Sequence, residues 1–535
     1  MAQPFQCLLY CPSASTRRPS LLLAASGPFI YSFCLQDGSL LSVWPTHDLE
    51  GRPVPLDESL ACAGESGVKD AGRPAKRRRV SLSREVSSST SAEIVIENPR
   101  VTESSRELQV SNSEVNKMIC ASSGEYVVAV TGEDKTIRVF ELRGDGSLMQ
   151  TSERPMPKRP CAITLTPDGK TILCGDKFGD VYSLPLLGKP FVEDPASSEP
   201  KVEDSNGRAE EHVLVLPAAS ARTVHTKKNQ EALRNQQRQI RQKKEKKILN
   251  FEHQLLLGHV SLLTDLACVS ICERTSSFSH PRDYIITSDR DEHIRVSRGM
   301  PQAHVVEGYC QGHTEFISKI CIPQNHRQLL VSGGGDNYLL VWDWLRGNLQ
   351  HRIDIGERMN YLEAEYRKNI PRAIGNSISE QPAGNDREQS LAVSGIWSSS
   401  DSRIIVTCEG VPALIMFSID ENMAVGACDC VPTKSNVIDV AVLSDLGIVI
   451  YSMDTDHEPF STTKPSSEKS ASSKTFFGSF SLSNATGRGM GAEGLHSQDL
   501  VGNLNARMQT HGERGSRLYC YSLENLRKRG YEEES

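Results

Sequence analysis

Residues 258–344 contain two units in the same register. The first opens on Gly258-His259 and closes on Tyr284-Ile-Ile-Thr-Ser-Asp-Arg-Asp-Glu-His-Ile-Arg-Val-Ser297. The second opens on Gly312-His313 and closes on Leu329-Leu-Val-Ser-Gly-Gly-Gly-Asp-Asn-Tyr-Leu-Leu-Val-Trp-Asp343. Each has a Gly-His pair, a short apolar strand, a small or acidic turn, and a further strand after an Asp. Aligned on that Asp, Asp291 matches Asp336, Ile294 matches Leu339, Val296 matches Val341, and Ser297 stands where Trp342 stands. A sheet this small cannot bury both faces by itself. It needs neighbours, and closing the row into a ring removes most exposed strand edges.

The pattern is that of WD repeats, in which each unit folds as one four-stranded blade of a β-propeller. His313, Ser332, Asp336 and Trp342 have the types and order of the side-chain network that ties such a blade together. His259 and Asp291 occupy the matching places in the first unit, so all six read as structural. A Gly-His pair at a blade start favours a packed, hydrogen-bonded histidine over a metal ligand or acid–base group.

The remaining chain yields weaker copies. Leu21 to Trp44 reads as a first blade, Asn116 to Leu142 as a second and Cys161 to Leu184 as a third. Val393 to Phe417 reads as a sixth, and Val437 to Ser452 begins a seventh that Ser516 to Ser522 would close. The expectation is an all-β, seven-bladed propeller spanning 1–535 as one domain, with long polar inserts at 45–111, 187–250, 356–390 and 458–514. Two inserts carry basic runs. Lys76, Arg77, Arg78 and Arg79 form a compact cluster that reads either as a nuclear-import address or as a solvated charge run. Lys227, Lys228, Arg234, Arg238, Arg241, Lys243 and Lys244 lie in a stretch of helix formers too poor in apolar residues for a buried stripe. That stretch is either an arm along phosphates or a merely solvated segment.

Composition limits what the surface can do. The formal charge of −7 argues against a chain that coats nucleic acid with its whole surface. The N-terminal residues lack a basic region ahead of an apolar run, and no stretch approaches the length of a membrane span. The 15 cysteines are odd in number and scattered, as suits buried thiols in a reducing compartment. Cys428-Asp-Cys430 has no second pair at zinc-finger spacing. Gly489-Met-Gly-Ala-Glu-Gly494 matches a nucleotide-cradling spacing, but a Ser/Gly-rich tract without a strand before it or a helix after it makes it a chance match. No nucleophile–histidine–acid order stands out, and no cofactor is expected on this chain.

The strand after Asp291 is the unusual one. It ends on Ser297 instead of Trp, and a charged string precedes it. Arg290, Glu292, His293 and Arg295 carry no obligation to the blade framework. A guanidinium there suits a bidentate pair with a partner's carboxylate, or else an ordinary surface salt bridge.

Thr287-Ser-Asp-Arg-Asp-Glu-His-Ile-Arg-Val-Ser297, with Gly258-His-Val-Ser-Leu-Leu-Thr-Asp265 upstream, resembles the WD-repeat, non-catalytic subunit of the tRNA (guanine-N7)-methyltransferase. Gly312-His-Thr-Glu-Phe-Ile-Ser318 and Leu330 to Trp344 extend the likeness, which is greatest to the fungal form with its basic insert before the fourth blade. The resemblance implies a heterodimer with a catalytic subunit that holds S-adenosylmethionine and methylates a guanine in the tRNA variable loop. It places Arg295 at the charged contact, supported by His293 and Arg290, with Glu292 beside them as a further candidate; the basic cluster at 76–79 makes the nucleus the expected location. A general nuclear WD-repeat scaffold or substrate receptor is the alternative from another class.

Overall fold

The computed structural model describes residues 4–13, 18–45, 113–188, 251–272, 281–369, 391–465, 475–482, 493–510, 523, 526 and 527. Seven antiparallel sheets account for every strand among them. Blade 1 holds β1 (Cys7–Cys11), β2 (Leu21–Ser26), β3 (Phe29–Cys34) and β4 (Leu40–Trp44). Blade 2 holds β5 (Val115–Cys120), β6 (Tyr126–Thr131), β7 (Thr136–Leu142) and β8 (Leu148–Pro155). Blade 3 holds β9 (Pro160–Leu165), β10 (Thr171–Asp176), β11 (Asp180–Pro185) and β12 (Gln254–Gly258). Blade 4 holds β13 (Leu263–Cys272), β14 (Pro281–Asp289), β15 (Ile294–Arg298) and β16 (Val306–Cys310). Blade 5 holds β17 (Ile317–Cys321), β18 (Leu329–Gly334), β19 (Tyr338–Asp343) and β20 (Asn348–Asp354). Blade 6 holds β21 (Val393–Ser398), β22 (Arg403–Cys408), β23 (Ala413–Ser418) and β24 (Asp429–Pro432). Blade 7 has three strands, β25 (Val437–Leu443), β26 (Ile448–Met453) and β27 (Phe477–Ser481).

The first strand of each blade lines the ring's interior and touches the first strand of the next, with β25 returning to β1. Middle strands are apolar on both sides because each blade is covered by two neighbours, and β18 and β19 are buried along their full length. The core lies between blades. Ile286, Ile294 and Val296 of blade 4 pack on Leu330, Leu340 and Trp342 of blade 5.

Blade 5 contains a complete polar network. His313 joins Ser332 Oγ through Nε2 and Asp336 Oδ2 through Nδ1, both at 2.7 Å. Trp342 Nε1 donates to Ser332 Oγ at 2.9 Å, and Thr314 Oγ1 donates to Asp336 Oδ1 at 2.6 Å. Burial pushes the Asp336 carboxyl up, but the bonds from His313 and Thr314 outweigh it and hold the group below its ordinary 3.8.

Blade 4 departs from the expected alignment. His259 Nε2 joins Thr287 Oγ1 at 2.7 Å, but its Nδ1 faces Asp289 Oδ2 at 3.4 Å, so Asp289 and not Asp291 is the network carboxylate. Strand β14 runs through Asp289, and the pairing of β13 with β14 slips by one residue between Leu263 and Asp265. Asp291 is left exposed in the turn, its amide donating to Asp289 Oδ1 at 2.9 Å.

Two insert boundaries also shift. The first part of 356–390 folds as α1 (Gly356–Asn369), whose Met359 packs under blades 5 and 6. Within 458–514 lie β27 and α2 (Glu493–Thr510). A helix therefore does follow the Gly489 motif, but the strand ahead of it belongs to an antiparallel blade and not to a parallel nucleotide-binding sheet. Residues 516–522, expected to close blade 7, lie outside the described residues, and among the described residues α2 packs across the seam between blades 7 and 1. Its Leu500, Val501, Leu504 and Met508 pack with Phe5, Leu22 and Phe33 of blade 1 and Ile450 and Phe477 of blade 7. Asn505 Oδ1 accepts the Phe476 and Phe477 amides at 2.8 and 3.0 Å, and its Nδ2 donates to Phe477 O at 3.0 Å. This side chain ties α2 to the start of β27. Among the described residues no helix is long and apolar enough to cross a membrane.

The polar network carries a prediction. His313→Ala leaves a buried carboxylate short of a partner and destabilises the fold by about 3 kcal/mol, which a lowered melting temperature checks. Because the native Asp336 carboxyl titrates below its unfolded value, its contribution is present above about pH 4 and fades as acid protonates it. Asp336→Asn therefore shows a flatter loss of stability below about pH 4, and an unchanged acid slope would count against the network.

Candidate partner-binding surface

Strand β15 is central in blade 4, with Arg295 paired to Thr287 on one side and to Tyr309 on the other. With serine in the Trp place, no indole closes the blade here. The Arg295 guanidinium instead donates from Nε to Ser297 Oγ at 3.1 Å and from Nη1 to Gly258 O at 3.0 Å. The second bond reaches the end of β12, so Arg295 spans the step between blades 3 and 4. Two of its five N–H donors serve these bonds, which leaves the outer side of the fork able to meet a further acceptor.

The surroundings are apolar and open. Tyr309, opposite Arg295 on the edge strand β16, is 48% exposed, and Leu255 on the edge strand β12 is 55% exposed. Val306 is exposed on the same edge as Tyr309. Towards the turns of blade 3, Phe178 is exposed with Lys158 Nζ 3.2 Å above its ring, and Val260 is fully exposed. Large apolar groups on two adjacent edges around a held guanidinium are the composition of an interface centre.

The other expected members divide. His293 is close to half exposed and lies 3.4 Å from Asp289 Oδ1, which its backbone amide also contacts at 3.0 Å. Burial opposes ionisation of Asp289, but the bonds from His259 and the His293 amide prevail and keep its carboxyl below the ordinary range. Glu292 adopts a left-handed backbone conformation, φ 65°, at the tip of the turn. Arg290 is not free. Its Nε donates to Leu526 O at 3.0 Å and its Nη2 to Arg527 O at 3.3 Å, so it points to the ring's central mouth and away from Arg295. Sequence reasoning missed this because the acceptors are backbone carbonyls more than 230 residues downstream.

The mouth opens on a cavity of about 650 Å³ down the ring axis, lined in part by Lys117, Cys161, Asp265, Lys319 and Asp439. Its carboxylates join blades. Asp265 Oδ2 accepts the Ile320 amide at 3.1 Å and Oδ1 pairs with Lys117 Nζ at 3.4 Å, while Asp439 Oδ2 accepts the Leu8 amide at 2.6 Å. Burial pushes the Asp439 carboxyl up to about 6, and the neighbouring Lys117 together with burial pushes Lys319 down. Cys428 and Cys430 sit on and beside the outer strand of blade 6, and among the described residues no His/Cys/Asp/Glu group could hold a metal ion. The basic residues at 76–79 and 227–244 lie outside the described residues.

Comparison with known proteins agrees with this architecture. The family described as "tRNA methyltransferase TRM82 WD40 domain" matches residues 22–477. The chain is 38% identical to the tRNA (guanine-N(7)-)-methyltransferase non-catalytic subunit trm82 of Aspergillus oryzae over 99% of each chain. It is 41% identical to that of Coccidioides immitis, over 83% of this chain and 82% of the relative. It is 33% identical to that of Sclerotinia sclerotiorum, over 100% and 99%. A seven-bladed WD propeller with this likeness from end to end belongs to the family of non-catalytic subunits of tRNA (guanine-N7)-methyltransferase.

Proposed function

We propose that this chain forms a heterodimer with a catalytic subunit and holds it in its active conformation. The partner binds S-adenosylmethionine and methylates guanine N7 in the tRNA variable loop. What carries the reading is Arg295, which is fixed at both ends of its guanidinium and ringed by exposed apolar side chains on two blade edges. An arginine held in this way loses little freedom when a partner's carboxylate completes its fork. Binding energy spent on one conformation of the partner raises that conformation's population, and catalysis follows without any reacting group on the propeller.

Arg295→Glu then places like charge against the partner's acid. The expected outcome is at least a thirty-fold weaker complex, corresponding to about 2 kcal/mol, with tRNA methylation falling in parallel and the propeller still folded. Size-exclusion chromatography and circular dichroism read both points. An intact complex from the mutant chain would overturn the assignment.

The basic run at 222–247 is the proposed tRNA arm. A basic segment neutralising several phosphates gives affinity that falls steeply with salt. Deleting it weakens tRNA binding by the assembled complex and flattens the dependence of affinity on salt; an unchanged slope returns the run to a solvated segment.

The cluster Lys76-Arg-Arg-Arg79 is the proposed nuclear address. Replacing all four by alanine moves a fluorescent fusion of the full chain into the cytoplasm, and retention in the nucleus would discard it.

A further inference from the structure

Arg290 fastens a part of the chain to which the methyltransferase role gives no task. Leu523 and Leu526 are 4% and 6% exposed, buried against Leu262, Phe316, Ala392 and Ile438 at the mouth of the axial cavity. The Leu526 amide donates to Leu523 O at 3.0 Å, and both leucines enter the same apolar cluster. The turn's carbonyl end is gripped by Arg290 at Leu526 O and Arg527 O. The Arg527 guanidinium then reaches Glu409 Oε2 at 2.6 Å.

The walls come from different places in the ring. Leu262 links blades 3 and 4, Arg290 is in the turn of blade 4, and Phe316 precedes β17. Ala392 precedes β21, Glu409 follows β22, and Ile438 belongs to β25. An apolar pocket for two leucines three residues apart, a cation for the carbonyls and an anion for the next arginine together define a recognition site for a short peptide. We propose that the central mouth of this propeller is a docking site for a Leu-x-x-Leu-Arg turn, and that its resident ligand is the chain's own segment 523–527.

Tethering supports occupancy in cis. A segment joined to the same chain faces its site at an effective concentration that a free peptide in dilute solution does not reach. A free peptide of micromolar affinity is excluded while the chain's own turn is seated. The mouth that a general scaffold would offer to outside peptides is thereby taken.

Two measurements on the full chain test the proposal. A fluorescent peptide of residues 521–530 is titrated into the unaltered chain and into the double variant Leu523→Asp, Leu526→Asp. The expected result is binding to the variant at least about tenfold tighter than to the unaltered chain. Equal binding to both, or none to a variant that keeps its circular dichroism, would overturn it. Hydrogen exchange supplies the second reading without disturbing the leucines. Arg290→Ala accelerates exchange at the Leu526 amide by about tenfold or more relative to β18 amides in the same sample. Unchanged protection there would equally overturn the proposal, and this comparison decides alone if the double variant does not fold.

Discussion

A propeller is stable only if its last blade finds its first, and every other contact in the ring depends on that seam. Among the described residues no strand is exchanged to make it. Strand β1 packs against β25 through an apolar layer, the Leu8 amide bonds the Asp439 carboxylate, and α2 packs across the junction of blades 7 and 1. The helix also grips blade 1, where Asn503 Nδ2 donates to Asp37 O at 3.0 Å. Gly38 is required there: its φ is +73°, and a Cβ would stand 2.8 Å from the Asn503 Cβ. Among the described residues, ring closure thus rests on β1 against β25, on helix-to-sheet packing and on three hydrogen-bonded side chains, Asp439, Asn503 and Asn505.

Blades 4 and 5 show what one substitution does to a repeat. In blade 5 the Trp342 indole ties off the serine of the network, and the blade is closed. Blade 4 keeps the His259–Thr287–Asp289 part, while Ser297 leaves an acceptor for Arg295. The framework loses one bond, and a cation becomes fixed between two blades. In this chain a departure from the repeat marks the surface proposed for the partner.

The central strands were legible because burial on both sides forces runs of Val, Ile and Leu, as in β18, β19 and β22. The outermost strands were not. Patterns such as exposed Gln254 and Leu255 in β12, or the mostly exposed β16 and β20, impose no periodicity that distinguishes them from loop. Helix α2 did carry a signal, in Leu500, Val501, Leu504 and Met508 at helical spacing, but Ser/Gly-rich sequence around it hid the stripe. Arg295 was found through its departure from the repeat. The displacement from Asp291 to Asp289 was not visible, since Asp291 stands four residues after Thr287 as Asp336 stands four residues after Ser332, and a second aspartate two residues nearer takes the contact. The engagement of Arg290 depends on backbone oxygens, which no sequence pattern names.

The seam has a consequence for how the molecule is made. Residues near Phe5 wait for partners near Leu504, so a chain emerging from the ribosome assembles its blades with the outer side of the seam still wet. Until α2 is translated, blade 1 exposes Phe33 and Leu35, and a message broken before that point yields a protein that has all seven described sheets but an uncovered seam. Such a product is an obvious substrate for chaperones and proteases. Completion of synthesis, more than the folding of any one blade, is the step at which this subunit becomes fit to leave for its complex.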